Sequence, residues 1–330
     1  MNEYDLITRL AARFPRSPRQ SNALFGSDAE VLNIGGRRWC LTMDEFSPEE
    51  DHFSGAPEAL GWNLAVATLS DLLACGAEPE LFMQALVLPE RGGEGFAKGL
   101  SAGLRKALAA AGCSLCGGDL GRAETWRYTG FAMGPAPRRP IGHDLPPGDY
   151  TLWVTGRLGD ANLAALRGLP TPRFELRLPE SRALRGRAAA CVDTSGGLAD
   201  AMWLLLRRNP RFRFEIDLSA VPFAPGVESA AARAGLHPGA FLLGGAGEYE
   251  LLFALPAGLG AAAAGKVRRA GATLVGWAAA GRKPGIYFAA SGGALAQMKA
   301  PPPCPRSAGS LESYIRETAA VSKRLFGSPA

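Results

Sequence analysis

Long apolar runs are what this chain most clearly lacks. No stretch reaches the length a bilayer demands, so a membrane-spanning helix is not expected. The N-terminal stretch MNEYDLITRLAARF mixes both charge signs and has no signal-peptide core, so a cytoplasmic protein is expected. Cysteine is sparse and scattered, at Cys40, Cys75, Cys113, Cys116, Cys191 and Cys304, which excludes a small disulfide-framed scaffold. Cys113 and Cys116 form a lone CxxC with no second pair or histidine cluster, so no zinc site follows. There is no GxxxxGK[ST] and no kinase-type HRD or DFG set, which excludes the common nucleotide folds. The basic residues, such as Arg37 and Arg38 or Arg207 and Arg208, are dispersed with no aromatic-interleaved stripe, so nucleic acid is not an expected partner. No repeat of 20–50 residues is evident.

What the chain does have is size, apolar residues and glycine. With 330 residues, 47% of them hydrophobic, and a net charge of +5, it can bury two ordinary cores as a soluble globular protein. The mild positive field favours anionic substrates such as phosphates. The stretch from Leu41 to Pro89 organises the rest. An apolar strand ends on Asp44, an acidic loop with His52 and Phe53 follows, and a helix runs from about Pro57 to Cys75 with Ser70 and Asp71 in its last turns. Gly76 stops that helix before a strand at Leu81–Leu88.

Along the rest of the chain, residues 3–14 read as a helix broken by PRSPRQSN. A Gly-led turn at Gly26-Ser27-Asp28 runs into a strand, and Gly35-Gly36 makes a hairpin to the strand Trp39–Met43. Residues 95–111 are an Ala-rich helix. A short strand then leads to Cys116-Gly117-Gly118-Asp119, with Asp119 just past its end, and Trp126–Met133 is a further strand. The Pro/Gly-rich segment 134–150 reads as a crossing between domains. Beyond it come the strand Thr151–Thr155, a buried strand Ala188–Asp193 turning through Thr194-Ser195-Gly196-Gly197 into a helix, and a Gly-rich turn before a strand at Tyr249–Leu255. The element order predicts two α/β (α+β) domains, residues 1–136 and 137–300, with a tail at 301–330 carrying a short helix.

Four acids lie at strand or helix ends beside Gly, Ser or Thr: Asp28, Asp44, Asp71 and Asp119. A carboxylate in such a place needs a partner. Several converging suit magnesium, which takes a few carboxylates plus water and phosphate oxygens. Gly-rich turns leave backbone N–H groups free for phosphate. The residues alone thus propose Mg-nucleotide binding without a P-loop; the alternative is that these acids cap turns and helices.

These same segments carry a resemblance. GSDAEVL at 26–32, TMDEF at 42–46, Asp51-His52-Phe53, LSDLLACGAEP at 69–79, GGDLGR at 117–122, DTSGGLADA at 193–201 and GAGEYEL at 245–251 resemble, in order, motifs of the thiamine-monophosphate kinase family. That family stands within the aminoimidazole ribonucleotide synthetase and selenophosphate synthetase superfamily. The resemblance implies a two-domain fold, with an N-terminal sheet forming a dimeric barrel and a C-terminal mixed sheet flanked by helices. It implies ATP as co-substrate, Mg2+ as cofactor, a homodimer, and thiamine monophosphate or another small phosphorylated metabolite as acceptor. It further implies metal ligands at Asp28, Asp44, Asp71 and Asp119, and ATP or phosphate contacts at Gly26, Ser27, Gly117, Gly118, Asp119 and Arg122. Substrate contacts are implied at His52, Ser195, Gly245 and Tyr249. No covalent nucleophile is expected, because in-line phosphoryl transfer needs positioning and charge neutralisation.

The chain departs from the family pattern at Ser27, Gly196 and Gly247-Glu248, where carboxylates of the motifs are replaced or moved, and at Thr68 and Leu120. Its C-terminus reads SLESYIRE where the family has an aromatic WDHF-type ending. Asp200 and Glu248 are candidate displaced oxygen donors. Three readings stay open: a thiamine-monophosphate kinase, a superfamily phosphotransferase or ligase with another acceptor, and a non-catalytic nucleotide-binding paralogue.

Overall fold

The computed structural model describes residues 3–48, 55–281, 283–289, 295–305, 308 and 310–327. After helix α1 (Glu3–Ala11), the first half of the chain runs β1 (Glu30–Ile34), β2 (Arg37–Phe46), α2 (Pro57–Ala74), β3 (Leu81–Pro89), α3 (Gly93–Ala111), β4 (Ser114–Ala123) and β5 (Arg127–Pro135). Its five strands form one sheet in the order β1-β2-β5-β3-β4, with only the β3–β4 pair parallel. The second half runs β6 (Asp149–Thr155), α4 (Asp160–Leu166), α5 (Leu178–Leu184), β7 (Ala190–Asp193), α6 (Leu198–Arg208), β8 (Phe212–Asp217), α7 (Val227–Arg233), β9 (Leu251–Pro256), α8 (Ala261–Arg269), β10 (Ala272–Ala280), β11 (Gly285–Ala289), β12 (Leu295–Met298) and α9 (Leu311–Phe326). These strands form a seven-stranded mixed sheet, β12-β11-β8-β10-β6-β9-β7. Among the described residues no helix is long and apolar enough to cross a membrane.

Helix α2 is apolar nearly all round because it is buried nearly all round, between the first sheet, α3 and the second half of the chain. Leu64, Leu69 and Leu72 are fully buried, each contributing about 1.5–3 kcal/mol of transfer free energy. Glycine sets its distance from α3: a Cβ at Gly103 would stand 1.9 Å from the Glu58 carbonyl oxygen, and one at Gly61 would stand 2.0 Å from that of Leu100. The helices therefore touch backbone to backbone along the first turns of α2.

The strands of the first sheet run further than the sequence predicts. β2 continues past Asp44 to Phe46, and β4 continues through Gly117, Gly118 and Asp119 to Ala123. A glycine pair costs little on an edge strand that is paired on one side only. In contrast β9 starts at Leu251, two residues later than expected, because Tyr249 has φ +54° and cannot enter a ladder. The segment read as a crossing is anchored to the core at Ile141, His143 and Leu145, while Arg138, Arg139 and residues 146–149 are exposed. Gly142 bridges to Ala190, and His143 is 1% exposed.

Candidate active site

Three acids from three separate elements converge where the two sheets meet. Asp28 sits in the loop before β1, Asp71 in the last turn of α2, and Asp193 at the end of β7; their carboxylate oxygens lie within 4.8 Å of one another. The Asp28 loop is built from its own side chains. Ser27 Oγ donates to the Ala29 carbonyl (2.8 Å), while the Asn22 amide donates to Ser27 Oγ (2.9 Å) and Asn22 Oδ1 accepts from Val31 N–H (3.0 Å). Ser27, expected at the phosphates, is thus a buried structural hydroxyl. Gly26 serves the same loop: its carbonyl accepts from His143 N–H at 2.9 Å.

His143 holds Asp28. Its Nε2 lies 2.9 Å from Asp28 Oδ1 and its Nδ1 lies 2.8 Å from the Phe25 carbonyl oxygen. Both partners offer oxygen acceptors, an arrangement that favours the doubly protonated ring. Burial opposes that charge, but the Asp28 carboxylate and the Phe25 carbonyl outweigh it, and the pKa of His143 is raised. The other Asp28 oxygen accepts from Asp193 N–H at 2.9 Å. Asp193 is oriented in turn by Ser195, whose N–H (3.2 Å) and Oγ–H (2.7 Å) both donate to Asp193 Oδ1. Thr42 Oγ1–H donates to Asp71 Oδ2 at 2.5 Å.

The acids crowd each other. Burial, followed by the charges of Asp44, Asp193 and Asp28, holds the Asp71 carboxyl well above the ordinary range, although part of its residue surface still meets solvent. Burial and then Asp28 push Asp193 up to about 6. Asp193 Oδ2 and Gln84 Oε1 meet no donor in full hydrogen-bond geometry among the described residues, while the Ser70 hydroxyl stands beside the Asp193 carboxylate closely enough to act on it as a donor and to work against its upward shift. Leaving a buried acceptor unpaired costs about 1–3 kcal/mol. Converging carboxylates, faced by the single buried ring of His143, fit a hard divalent cation. Asp28, Asp71 and Asp193 are the residues that would hold it.

Other expected residues fall in different places. Asp44 lies near enough to raise Asp71, on the sheet face that α2 covers, in one row with Gly130, Gln84 and Gly118. Asp119 does not join them. It is exposed and in register with Ala85, Thr129 and Glu45, on the opposite face. The cause is a bulge at Cys116, where the register jumps from Phe82↔Leu115 to Met83↔Gly117. One extra residue turns every later side chain over. Gly117 and Gly118 share that exposed edge strand, and Arg122 lies farther along it, in register with Leu88 and beside Gly93. Gly245 N–H donates to Tyr314 Oη at 2.5 Å, so a side chain of α9 already occupies it. Tyr249 is buried, its ring 4.8 Å from that of Phe174. His52 lies outside the described residues. Glu248 turns away from the acids: both its oxygens accept from Gly159 N–H at 2.7 Å, and burial pushes its pKa up to about 8.

Sequence reasoning missed Asp193 and His143. The first sat in a segment read for its turn, and its strand-end position was the available signal. The second sat in a segment read as a crossing, with nothing local to mark it.

Comparison with known proteins identifies the family. Residues 26–136 match the family model of the AIR synthase related protein, N-terminal domain. A thiamine-monophosphate kinase of Synechococcus elongatus is 30% identical over 235 residues, covering 63% of this chain and 70% of that one. The solved thiamine-monophosphate kinase of Stenotrophomonas maltophilia K279a superposes with a TM-score of 0.67 at 25% identity, over 87% of this chain and 96% of that one. AaThiL complexed with AMPPCP and TMP shares the fold at a TM-score of 0.71 and 22% identity, over 86% of this chain and 91% of that one. A chain with this fold and that degree of identity over most of a named relative belongs to the thiamine-monophosphate kinase family.

Proposed function

We propose that the protein is a magnesium-dependent phosphotransferase that moves the γ-phosphoryl group of ATP onto thiamine monophosphate, giving thiamine diphosphate and ADP. The observation that carries this is the convergence of Asp28, Asp71 and Asp193 on one point. The names of the relatives, and the AMPPCP and TMP bound in one shared-fold structure, supply the nucleotide and the acceptor. Magnesium, when bound, neutralises phosphate charge and aligns the reacting oxygens. The chain's own contribution is positioning. His143 and Ser195 hold Asp28 and Asp193 in fixed orientations, and Thr42 holds Asp71. The acceptor is already an anionic phosphate, so no side chain has to remove a proton or form a covalent adduct.

We further propose that the protein acts as a homodimer joined across the open face and edge of the first sheet. Met43, Met83, Leu115 and Leu120 are 69%, 45%, 53% and 64% exposed there, more apolar surface on one sheet than a monomer ordinarily leaves bare. Asp119, Gly117, Gly118 and Arg122 lie along this edge, and their role in phosphate binding would be exercised at the junction of two copies. A different acceptor is a second reading. It is favoured by Tyr314 capping Gly245 and by Glu248 being consumed at the start of α4, both within the expected acceptor loop.

The test is direct: purified protein is incubated with ATP, Mg2+ and thiamine monophosphate, and thiamine diphosphate is measured by chromatography. Mg-dependent product formation is expected. Mg-ATP binding without product would transfer the proposal to the second reading, and no Mg-ATP binding would end both.

A further inference from the structure

A pocket of about 100 Å3 opens between α4, the turn at Pro238–Leu242, the Gly-rich loop that follows it and α9. None of the acids of the junction lines it, and neither does any other charged side chain among the described residues. Its walls are largely alanine, leucine, isoleucine and phenylalanine. Leu166 and Ile315 stand at its mouth, 46% and 42% exposed. Two of its polar side chains are spent on the protein itself. The Asn162 amide donates to the carbonyls of Phe241 (3.2 Å) and Gly244 (3.1 Å), and its Oδ1 accepts from Ala246 N–H (3.3 Å). Tyr314 Oη accepts from Gly245 N–H at 2.5 Å. Thr318 Oγ1 differs: it is buried and meets no partner in full hydrogen-bond geometry among the described residues, although it stands beside the Tyr314 hydroxyl closely enough to act on it. The loop side of the pocket leans on the bend that carries Asp193. A Cβ at Gly197 would stand 2.3 Å from the Gly244 carbonyl oxygen, and Glu248 N–H donates to the Thr194 carbonyl at 3.2 Å. The backbone of that loop therefore lies between the pocket and the bend.

We propose that this pocket is a binding site for a small uncharged molecule with an apolar body of about one aromatic ring and a single hydroxyl, the class of which phenol is the simplest member, its body between α4 and α9 and its hydroxyl on Thr318 Oγ1. The proposal does not rest on the phosphotransferase reading. Size sets the body: an apolar cavity of about 150 Å3 holds benzene, and this smaller one has an open mouth at which a ring keeps one edge toward solvent. The lining sets the charge. An ionic group would lose its water here and meet no opposite charge. The hydroxyls set the polar count. A ligand without a hydrogen-bonding atom leaves Thr318 Oγ1 as it is, and a ligand with several buries polar atoms that the spent Asn162 amide cannot serve.

The experiment follows phenol and benzene by ligand-observed nuclear magnetic resonance as each is titrated against the full-length protein. Both should bind saturably, phenol about 2- to 10-fold more tightly, the difference that one neutral hydrogen bond makes. Phenylacetate and benzylamine, which carry the same ring with a charge, should not bind. Ala165→Leu and Ala319→Leu add apolar volume from α4 and from α9, and each should abolish saturable binding. Both alanines are only partly buried, so the added atoms need not disturb the core. Thr318→Val adds no volume, should bring phenol down to the level of benzene, and keeps the test decisive if a filling variant folds badly. Absence of saturable binding of either ring by the unaltered protein, or undiminished binding in both filling variants, would overturn the site. Equal binding of the charged rings, or a preference for phenol that survives Thr318→Val, would overturn the ligand class.

Discussion

Two groups of buried acids stand in this molecule, and they differ in one respect that decides what each can do. Glu248 and Glu250 lie in the second half of the chain, and every carboxylate oxygen of theirs has a donor. Glu248 is capped by Gly159 N–H, and Glu250 accepts from Arg177 at 2.5 Å and from Thr155 Oγ1 at 2.5 Å. Asp28, Asp71 and Asp193 are crowded against each other. Burial raises pKa values in both groups, so a raised pKa alone does not separate a structural acid from a ligand. Mutual crowding does: Asp28 has a partner on each oxygen, yet it stands within 4.8 Å of Asp71 and Asp193, whereas Glu250 faces Arg177. Acids matched by donors or a cation stabilise the fold, whereas mutually repelling ones cost stability until a cation arrives.

The largest expected effect breaks the comparison open. Asp193→Asn should abolish Mg-dependent nucleotide binding, by about 100-fold or more, the upper range for a site ligand. It should leave the metal-free protein folded and no less stable, because it relieves repulsion; isothermal titration and thermal unfolding read the two effects separately. Glu250→Gln should do the reverse. It removes one of the two carboxylates paired with Arg177, Glu180 remaining at 2.9 Å, at a cost of about 1–3 kcal/mol, seen as a lower unfolding midpoint, while magnesium affinity of the folded protein stays close to normal.

The pH dependence sharpens the contrast. Asp71, Asp193 and His143 have folded-state pKa values above their unfolded ones. Each favours folding when protonated, so its contribution is full below the unfolded pKa and is lost as pH rises through the folded value. The metal-free unfolding midpoint should therefore fall as pH rises from the ordinary carboxylate range through about 6, the value for Asp193, and fall further where His143 loses its proton above the ordinary histidine range, and Mg-ATP should shrink that fall. Since the cation displaces protons, magnesium affinity should rise over the same window. The smallest effect expected is at Ser195→Ala. It removes one of two donors to Asp193 Oδ1, and metal affinity should drop several-fold with the fold unaffected.

How much of this was legible in the sequence follows from how local each signal is. Helix α2 reads from its Pro57 start and its stop at Gly76, and Asp71 comes with it. Asp28 reads from the Gly-led turn before β1. Asp193 becomes a site residue only because its N–H reaches Asp28, 165 residues away, and no periodicity carries such a contact. His143 is hidden for the same reason. Asp119 illustrates a different limit. Strand alternation has a period of two, so a single bulge reverses every later side chain. The bulge at Cys116 leaves no mark in the residues CGGD beyond glycines that permit it.

The measurement that bears most directly on the acid junction is calorimetric titration of Mg2+ with a non-hydrolysable ATP analogue into the unaltered protein, Asp193→Asn and Glu250→Gln. Saturable magnesium binding that vanishes in Asp193→Asn and persists in folded Glu250→Gln is the predicted result. Equal binding in the unaltered protein and Asp193→Asn would contradict the assignment of the cation to Asp28, Asp71 and Asp193.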